Sequence, residues 1–343
     1  MLICFSFFSC KKNISEFSFY YWKTKFEISP TEKSMLVDLK CKTIYTRFFD
    51  VDIDEEAREP FPVGIINGLD SISQNINIIP VVFITNRTFL NSGKTDISKL
   101  AQNIIKEINA LKDNYNELQF DCDWSGKTKE NYFSFLQEIR KLISKDVKLS
   151  CTIRLHQVKY ALKSGIPPVD RGTLMFYNMG NVHDQNEVNS IYDQKNAEKY
   201  TGFIKGYKLP LDAALPVFTW YVHYRNDALI GLISEKDMPI INDTNIFLRF
   251  KDSALENGYR KIDSKNNAKF KVITDHLANG IFYKTNDVLK LETLNDQQLI
   301  EAAELLNTNL KEEDRRIIFF DFDEDNIKKY DKETFTKIRT IFN

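Results

Sequence analysis

Asp121 and Asp123 stand one residue apart in the run Glu117-Leu118-Gln119-Phe120-Asp121-Cys122-Asp123-Trp124-Ser125. A strand repeats every two residues, so Gln119, Asp121 and Asp123 share one face while Leu118, Phe120 and Cys122 share the other. The apolar set must be buried against other elements. Both carboxylates then point to the opposite, inner side, with Cα atoms about 6.6 Å apart from the rise per residue. Like charges so placed raise each other's pKa, and a carboxylic acid that stays protonated near neutrality can protonate a leaving oxygen. A structural ion pair is the alternative use. Ser150, Thr152, Arg154 and His156 alternate with Cys151, Ile153 and Leu155, which is expected to bring Arg154 and His156 beside the aspartates. Arg154 is expected nearer Asp121, keeping it ionised and leaving Asp123 as the acid. Arg47 is a similar ion-pair candidate. Trp220, with His223 close by, could stack on a pyranose ring or pack in the core. Asp321 and Asp323 form a second same-face pair, Asp323 being expected in solvent.

The elements that must position these groups alternate along the chain. Apolar, β-rich runs at about Phe17–Phe26, Thr43–Asp50, Ile78–Ile84, Glu117–Asp123, Lys148–Arg154, Gly172–Tyr177, Ala213–Val222 and Arg316–Asp321 read as eight strands. Segments of helical period lie between them, the clearest being Ile97–Lys112 and Asn131–Ile143. Weaker helical segments are Pro30–Leu39, Glu187–Tyr200, Gln297–Leu310 and Lys328–Phe342. Eight βα units with no natural cut imply an α/β fold, one (β/α)8 TIM-type barrel over residues 17–343. An insertion from about Asn226 to Glu292 separates the seventh strand from its helix, with a hairpin expected to turn at Asn279-Gly280. It follows a strand's C-terminal end and so belongs on the active face.

The 343 residues carry 47 Lys+Arg against 48 Asp+Glu, a net charge of -1, which leaves no basic field to hold a nucleic-acid backbone. Aromatic residues make up 13%, enough for a large core and for faces that stack on flat sugar rings. The five cysteines show no zinc-like or CxxC spacing, and Cys122 and Cys151 sit in apolar runs as small buried hydrophobes. No metal or cofactor is expected. Gly93-Lys94-Thr95 has Thr88 where a P-loop needs its first glycine, and Asp50-Val51-Asp52-Ile53-Asp54 has Glu55 where a calcium loop needs glycine. No serine lies in a nucleophile-elbow pattern. At the start, Leu2 to Ser9 is apolar and ends in a small residue before Cys10-Lys11-Lys12, which resembles a bacterial lipobox. That resemblance makes residues 1–16 a signal and short linker and places lipid on Cys10. The protein would then be membrane-anchored in a bacterial cell envelope.

A second resemblance concerns the barrel. Asp121-Cys122-Asp123-Trp124, with Lys129 to Phe133 and Phe135 to Arg140 downstream, resembles the fourth strand and helix of glycoside hydrolase family 18, whose motif is D-x-x-D-x-D-x-E. Met175-Phe176-Tyr177-Asn178 is similar to the family's M-x-Y-D/N. The resemblance implies that Asp123 positions and polarises a substrate N-acetyl group and that Tyr177, beside Asn178, hydrogen-bonds it. Leu118 stands at the first motif aspartate, and Ser125 stands at the proton-donating glutamate. The family's substrate-assisted mechanism therefore does not carry over. Phe19-Tyr20-Tyr21-Trp22, Tyr45 to Asp52 and Leu118 to Asp123 are also similar to bacterial barrel lipoproteins of the Bacteroidota type, distantly related to such hydrolases. Together these imply a carbohydrate-active, glycoside hydrolase-like lipoprotein with a saccharide ligand, or a non-catalytic glycan-binding or assembly lipoprotein that lost the acid.

Overall fold

A computed structural model describes residues 15–343 apart from 55, 58, 70–75, 91–95, 239–240, 251–267 and 312–314. Cys10 lies outside the described residues. In chain order the strands are β1 (Glu16–Tyr21), β2 (Thr43–Ile53), β3 (Pro60–Val63), β4 (Asn77–Ile84), β5 (Glu117–Asp121), β6 (Lys148–Arg154), β7 (Arg171–Met175), β8 (Leu211–Pro216), β9 (Trp220–Arg225), β10 (Ala228–Ser234), β11 (Phe247–Phe250), β12 (Lys269–Val272), β13 (His276–Ala278), β14 (Ile281–Tyr283), β15 (Val288–Glu292) and β16 (Arg316–Phe320). Eight of them, in the order β1-β16-β8-β7-β6-β5-β4-β2, are parallel neighbours, and β1 pairs with β2 to close the ring. Helices lie between most successive barrel strands among the described residues, so the fold is the expected TIM-type (β/α)8 barrel.

The helices follow from their apolar stripes. Leu100, Ala101, Ile104, Ile105 and Ile108 form the buried face of the helix Ile97–Leu111, whose first turn is capped by the Asp96 carboxylate accepting from Lys99 N at 3.0 Å. Tyr132, Phe135, Leu136 and Ile139 do the same for Lys129–Leu142, with Phe135 edge-on to Phe120 of β5 at 5.0 Å. Leu118, Phe120 and Cys122 thus face the helices as their alternation required, and Cys122 and Cys151 are buried free thiols.

The inward set is polar and stacks in layers. At the base, the Arg171 guanidinium donates to both oxygens of Asp212 at 2.7 and 2.5 Å, and Arg316 pairs with Glu117 while donating to the Tyr45 hydroxyl at 2.6 Å. One layer up, Gln119 accepts from the Tyr20 hydroxyl at 2.6 Å and donates to Thr173 at 3.0 Å. Each buried polar atom in these layers has a partner, which burial away from water demands.

The insertion differs from expectation at its start. The run from Ala213 to Val222 is two strands, because Val217-Phe218-Thr219 carries the chain out of the barrel after Pro216. A continuous apolar and aromatic run conceals such a break. Trp220 and His223 therefore belong to β9 of a second, antiparallel sheet ordered β10-β9-β15-β12-β11, with a core built from residues such as Tyr221, Phe247, Phe270 and Leu289. Beside that sheet β13 and β14 form a separate hairpin across Asn279-Gly280, whose φ angles of 49° and 75° are the left-handed pair that this turn requires. The sheet is tied to the loop after β7 by Ser190 N–H donating to Glu292 Oε2 at 3.1 Å and by Asn189 Nδ2 donating to Thr293 O at 2.8 Å. Elsewhere the first strand ends at Tyr21, the helix foreseen from Glu187 begins at Gln194, and β3 adds an antiparallel edge to β2.

Candidate functional site

A cavity of about 240 Å³ opens at the C-terminal mouth of the barrel, where Asp121, Asp123, Thr152, Arg154, Tyr177 and Asn178 converge. The parallel register of β5 on β6 sets Phe120 beside Cys151, so the next inward levels bring Asp121 to Thr152 and Asp123 to Arg154. The side chains follow suit. The Thr152 hydroxyl donates to Asp121 Oδ1 at 2.6 Å, and Arg154 Nε and Nη2 donate to the two oxygens of Asp123.

This reverses the expected assignment. Arg154 pairs with Asp123 rather than Asp121, because cross-strand register, invisible in a single strand's alternation, decides which acid meets which base. Asp121 is 8% exposed, and burial, reinforced by the neighbouring Asp123 charge, pushes its carboxyl up to about 7. Asp121 is a carboxyl poised to hold a proton at neutral pH.

Tyr177 arrives just beyond β7, its ring stacked on Phe320 with centroids 5.5 Å apart and 18° between planes. Burial, and then the Asp121 charge, hold its phenol well above the usual tyrosine range. Asn178 follows in a left-handed turn at φ 54°, exposed at the rim, a conformation asparagine tolerates. His156 departs from the pattern: β6 ends at Arg154 and a short helix, Leu155–Lys159, begins there, so His156 is exposed on a smaller side pocket of about 50 Å³ that it shares with Arg154, Tyr177 and Asn178. Its pKa is lowered, first by the partial desolvation of its ring against the pocket wall and then by Arg154. Trp220 is not on the cavity wall; its indole donates to Glu292 at 3.0 Å and packs on Phe218.

Arg47 acts through a residue that strand parity hides. A register shift in β2 between Arg47 and Phe49 changes the phase of the alternation, so Arg47 and Asp50 come to the same side and pair at 2.6 and 2.5 Å. Asp50 lies on the cavity wall. The other wall residues that alternation alone did not single out are Tyr20, Trp22, Phe83, Met175 and Phe320. Tyr20 and Trp22 belong to the aromatic run of β1, and that run was their signal. Ser125, at the position of the motif's acid, is a turn residue. Its N–H donates to Thr128 Oγ1 at 2.9 Å, and its carbonyl accepts from Lys129 N at 2.9 Å as the next helix begins. Asp321 is pushed up to about 6 by burial and then by Asp323, and accepts from Asn326. Asp323 is not simply solvated: it pairs with Lys23 at 3.0 Å and caps the helix Glu324–Ile327.

A groove of about 370 Å³ lies outside the barrel between β3 and the helix Ile97–Leu111, with Phe49, Val51, Leu100 and Ile104 on its walls. It holds none of the paired acids and rings that converge at the mouth, and ligands of this fold enter at the mouth. Among the described residues no cluster of three or more His, Cys, Asp or Glu side chains could hold a metal ion, and no helix is long and apolar enough to cross a membrane.

Solved structures share this architecture. A chitinase from Chromobacterium violaceum superposes with a TM-score of 0.53 at 12% identity, over 95% of this chain and 98% of that one. A chitinase from Bacteroides thetaiotaomicron gives 0.52 at 11% identity, over 96% and 95%. The spore cortex-lytic enzyme of Bacillus megaterium gives 0.51 at 15% identity, over 98% of this chain and 76% of that chain. At such identities the likeness establishes the (β/α)8 barrel fold and nothing finer. No family model matches the sequence, and no curated protein does.

Proposed function

We propose that the protein binds a saccharide at the barrel mouth without cleaving it, and that chitin fragments are the first ligands to test. One observation carries the reading. Both positions at which hydrolysis would need a free acid are engaged, Asp123 by Arg154 and Ser125 by the helix turn, while the rings of Trp22, Tyr177 and Phe320 line the cavity. Cleavage of a glycosidic bond needs one carboxyl to give a proton and a second group to act on the ring carbon, whereas binding needs only ring faces and hydrogen-bonding groups. Chitinases share the fold, which supports chitin fragments as the ligand class.

Hydrolysis is the second reading, favoured by Asp121 held up to about 7, the range of a working general acid. Against it, Asp121 sits below Asp123, nearly closed off from the cavity, and already accepts from Thr152. The test mixes the protein with N-acetylglucosamine oligomers and follows binding by calorimetry and new chain ends by mass spectrometry. Binding without release is expected. Release that disappears in Asp121→Asn replaces this reading with hydrolysis, and failure to bind these oligomers or any member of a wider glycan array removes the saccharide altogether.

The lipobox-like Ser9-Cys10 junction supports a lipid-anchored location in a bacterial cell envelope. Ser15 is fastened to the C-terminus, its N–H donating to Asn343 Oδ1 at 3.1 Å and its hydroxyl to Phe342 O at 3.0 Å, at the base of β1. Ser15 therefore lies on the face of the barrel opposite the mouth. Labelled palmitate that enters the wild type but not Cys10→Ala is the expected result.

A further inference from the structure

We infer that the helices following β6 and β7 carry a docking surface for an anionic lipid bilayer, independent of any lipid at Cys10. Leu155 and Val158 bury one face of the short helix Leu155–Lys159, and Gln157 fixes it by donating to Trp124 O at 3.0 Å. The next turn of helix, Ala161–Ser164, buries no residue, yet its end is pinned by the Trp124 indole donating to Ser164 O at 3.0 Å. A fastened turn without a buried face holds its side chains out in water. Leu162, at 105% exposure, is the most exposed large apolar side chain among the described residues. Tyr160, two residues earlier, is 54% exposed, and Phe203, just beyond the helix Gln194–Thr201, is 46% exposed. Lys159 joins the two elements, its ammonium lying over the rings of Tyr160 at 5.5 Å, Tyr200 at 5.1 Å and Phe203 at 5.7 Å. Apolar and aromatic groups clustered in this way mark a contact surface, where single exposed ones would not.

Charge decides the partner. Residues 155–164 and 194–208 hold six lysines and one acid, Glu198, in a chain whose net charge is -1. Lys163, Lys205 and Lys208 are exposed and, among the described residues, enter no ion pair, while the exposed Lys199 donates to Asn196 Oδ1 at 2.7 Å rather than to an acid. Free ammonium groups around protruding Leu, Phe and Tyr side chains suit a bilayer surface: the lysines meet anionic headgroups and the apolar side chains enter the acyl boundary. An acidic protein would satisfy the ammonium groups, but lysine is scarce in protein interfaces, and a leucine standing clear of the surface gains most from an apolar phase that closes around it.

The experiment sediments the whole chain carrying Cys10→Ala, which cannot be lipidated there, with vesicles of phosphatidylcholine alone and of phosphatidylcholine and phosphatidylglycerol in equal parts. Binding to the anionic vesicles only, weakening as salt is raised, is expected. Lys163→Gln with Lys205→Gln should lower the partition coefficient about thirtyfold, from about fivefold per lysine. Leu162→Ser should lower it about tenfold through the lost apolar burial. All three side chains are exposed, so these changes leave the fold intact. No sedimentation with anionic vesicles, or sedimentation that survives both sets of changes, overturns the docking surface. Binding that needs the lysines but ignores Leu162→Ser overturns insertion into the bilayer. Lysine-dependent binding to polyglutamate without binding to vesicles overturns the bilayer in favour of an acidic protein.

Discussion

Asp121→Asn isolates the property of the site that matters most, a carboxyl kept neutral by its surroundings. In the folded chain Asp121 titrates near 7, against an ordinary value of 3.8, because burial and the Asp123 charge disfavour its ionised form. Between those values the folded state holds a proton that the unfolded state has released, so stability falls as pH rises from about 4 to about 7. Below that window the penalty is absent; above it the penalty is complete, at about 4 kcal/mol from 1.36 kcal/mol per pH unit. The asparagine variant cannot ionise, and its amide oxygen can still accept from Thr152, whose hydroxyl lies 2.6 Å from the carboxylate. The assay is urea denaturation of both proteins at about pH 4, 5.5, 7 and 8.5, comparing extrapolated stabilities. Asp212 and Asp321, each pushed up to about 6, titrate in both proteins and largely cancel in the difference. The variant should gain on the wild type by about 4 kcal/mol across the window. A difference that stays flat, or moves against the variant, would mean that Asp121 is ionised and solvated, and the reasoning would fail with it.

Three further outcomes test other parts of the structure. Asp212→Ala leaves the Arg171 guanidinium buried without its carboxylate, so stability measured by denaturation should drop by about 3 to 5 kcal/mol. Arg154→Gln, by contrast, breaks a pair whose side chains are 35% and 39% exposed, and should cost no more than about 1 kcal/mol; a larger loss in thermal unfolding would show that the pair is structural. Gly280→Ala forces a Cβ into a left-handed conformation at φ 75° and should lower stability by about 1 kcal/mol, whereas no change in melting temperature would deny that this turn is required.

Much of the barrel was legible because its signal is local. The hydrophobic period marked the helices Ile97–Leu111 and Lys129–Leu142 within two residues of their ends, β6 was read at its observed bounds, and Asn279-Gly280 disclosed the hairpin through backbone chemistry that few other pairs satisfy. What failed was non-local. Alternation says that Asp121 and Asp123 face inward, but only the register between β5 and β6 says which of them meets Arg154. The shift in β2 hid Asp50 by changing parity midway along a strand, and the exit at Val217 hid a sheet boundary inside an apolar run. Trp220 was misplaced for that reason, and His156 because a helix starts where the alternation was extended one step too far.

The same layering argues against treating the mouth as a weakened hydrolase site that merely awaits a substrate. Going up the barrel, the charged carboxylates are met in turn: Asp212 by Arg171, Glu117 by Arg316, Asp123 by Arg154 and, on β2, Asp50 by Arg47. Asp121 is the exception among these inward acids, and its layer offers only the Thr152 hydroxyl, so it is neutralised by a proton instead. A site built this way presents the ligand with little net charge at every level, beside rings already fixed by one another. Hydrolysis would require Asp123 to be released from Arg154, and nothing in the first turn after β5 replaces it, since Ser125 is committed to starting a helix. Recognition of a neutral ring by stacked aromatics and paired polar groups requires no such rearrangement, so the proposed binding reading asks for fewer changes at the site than the catalytic one.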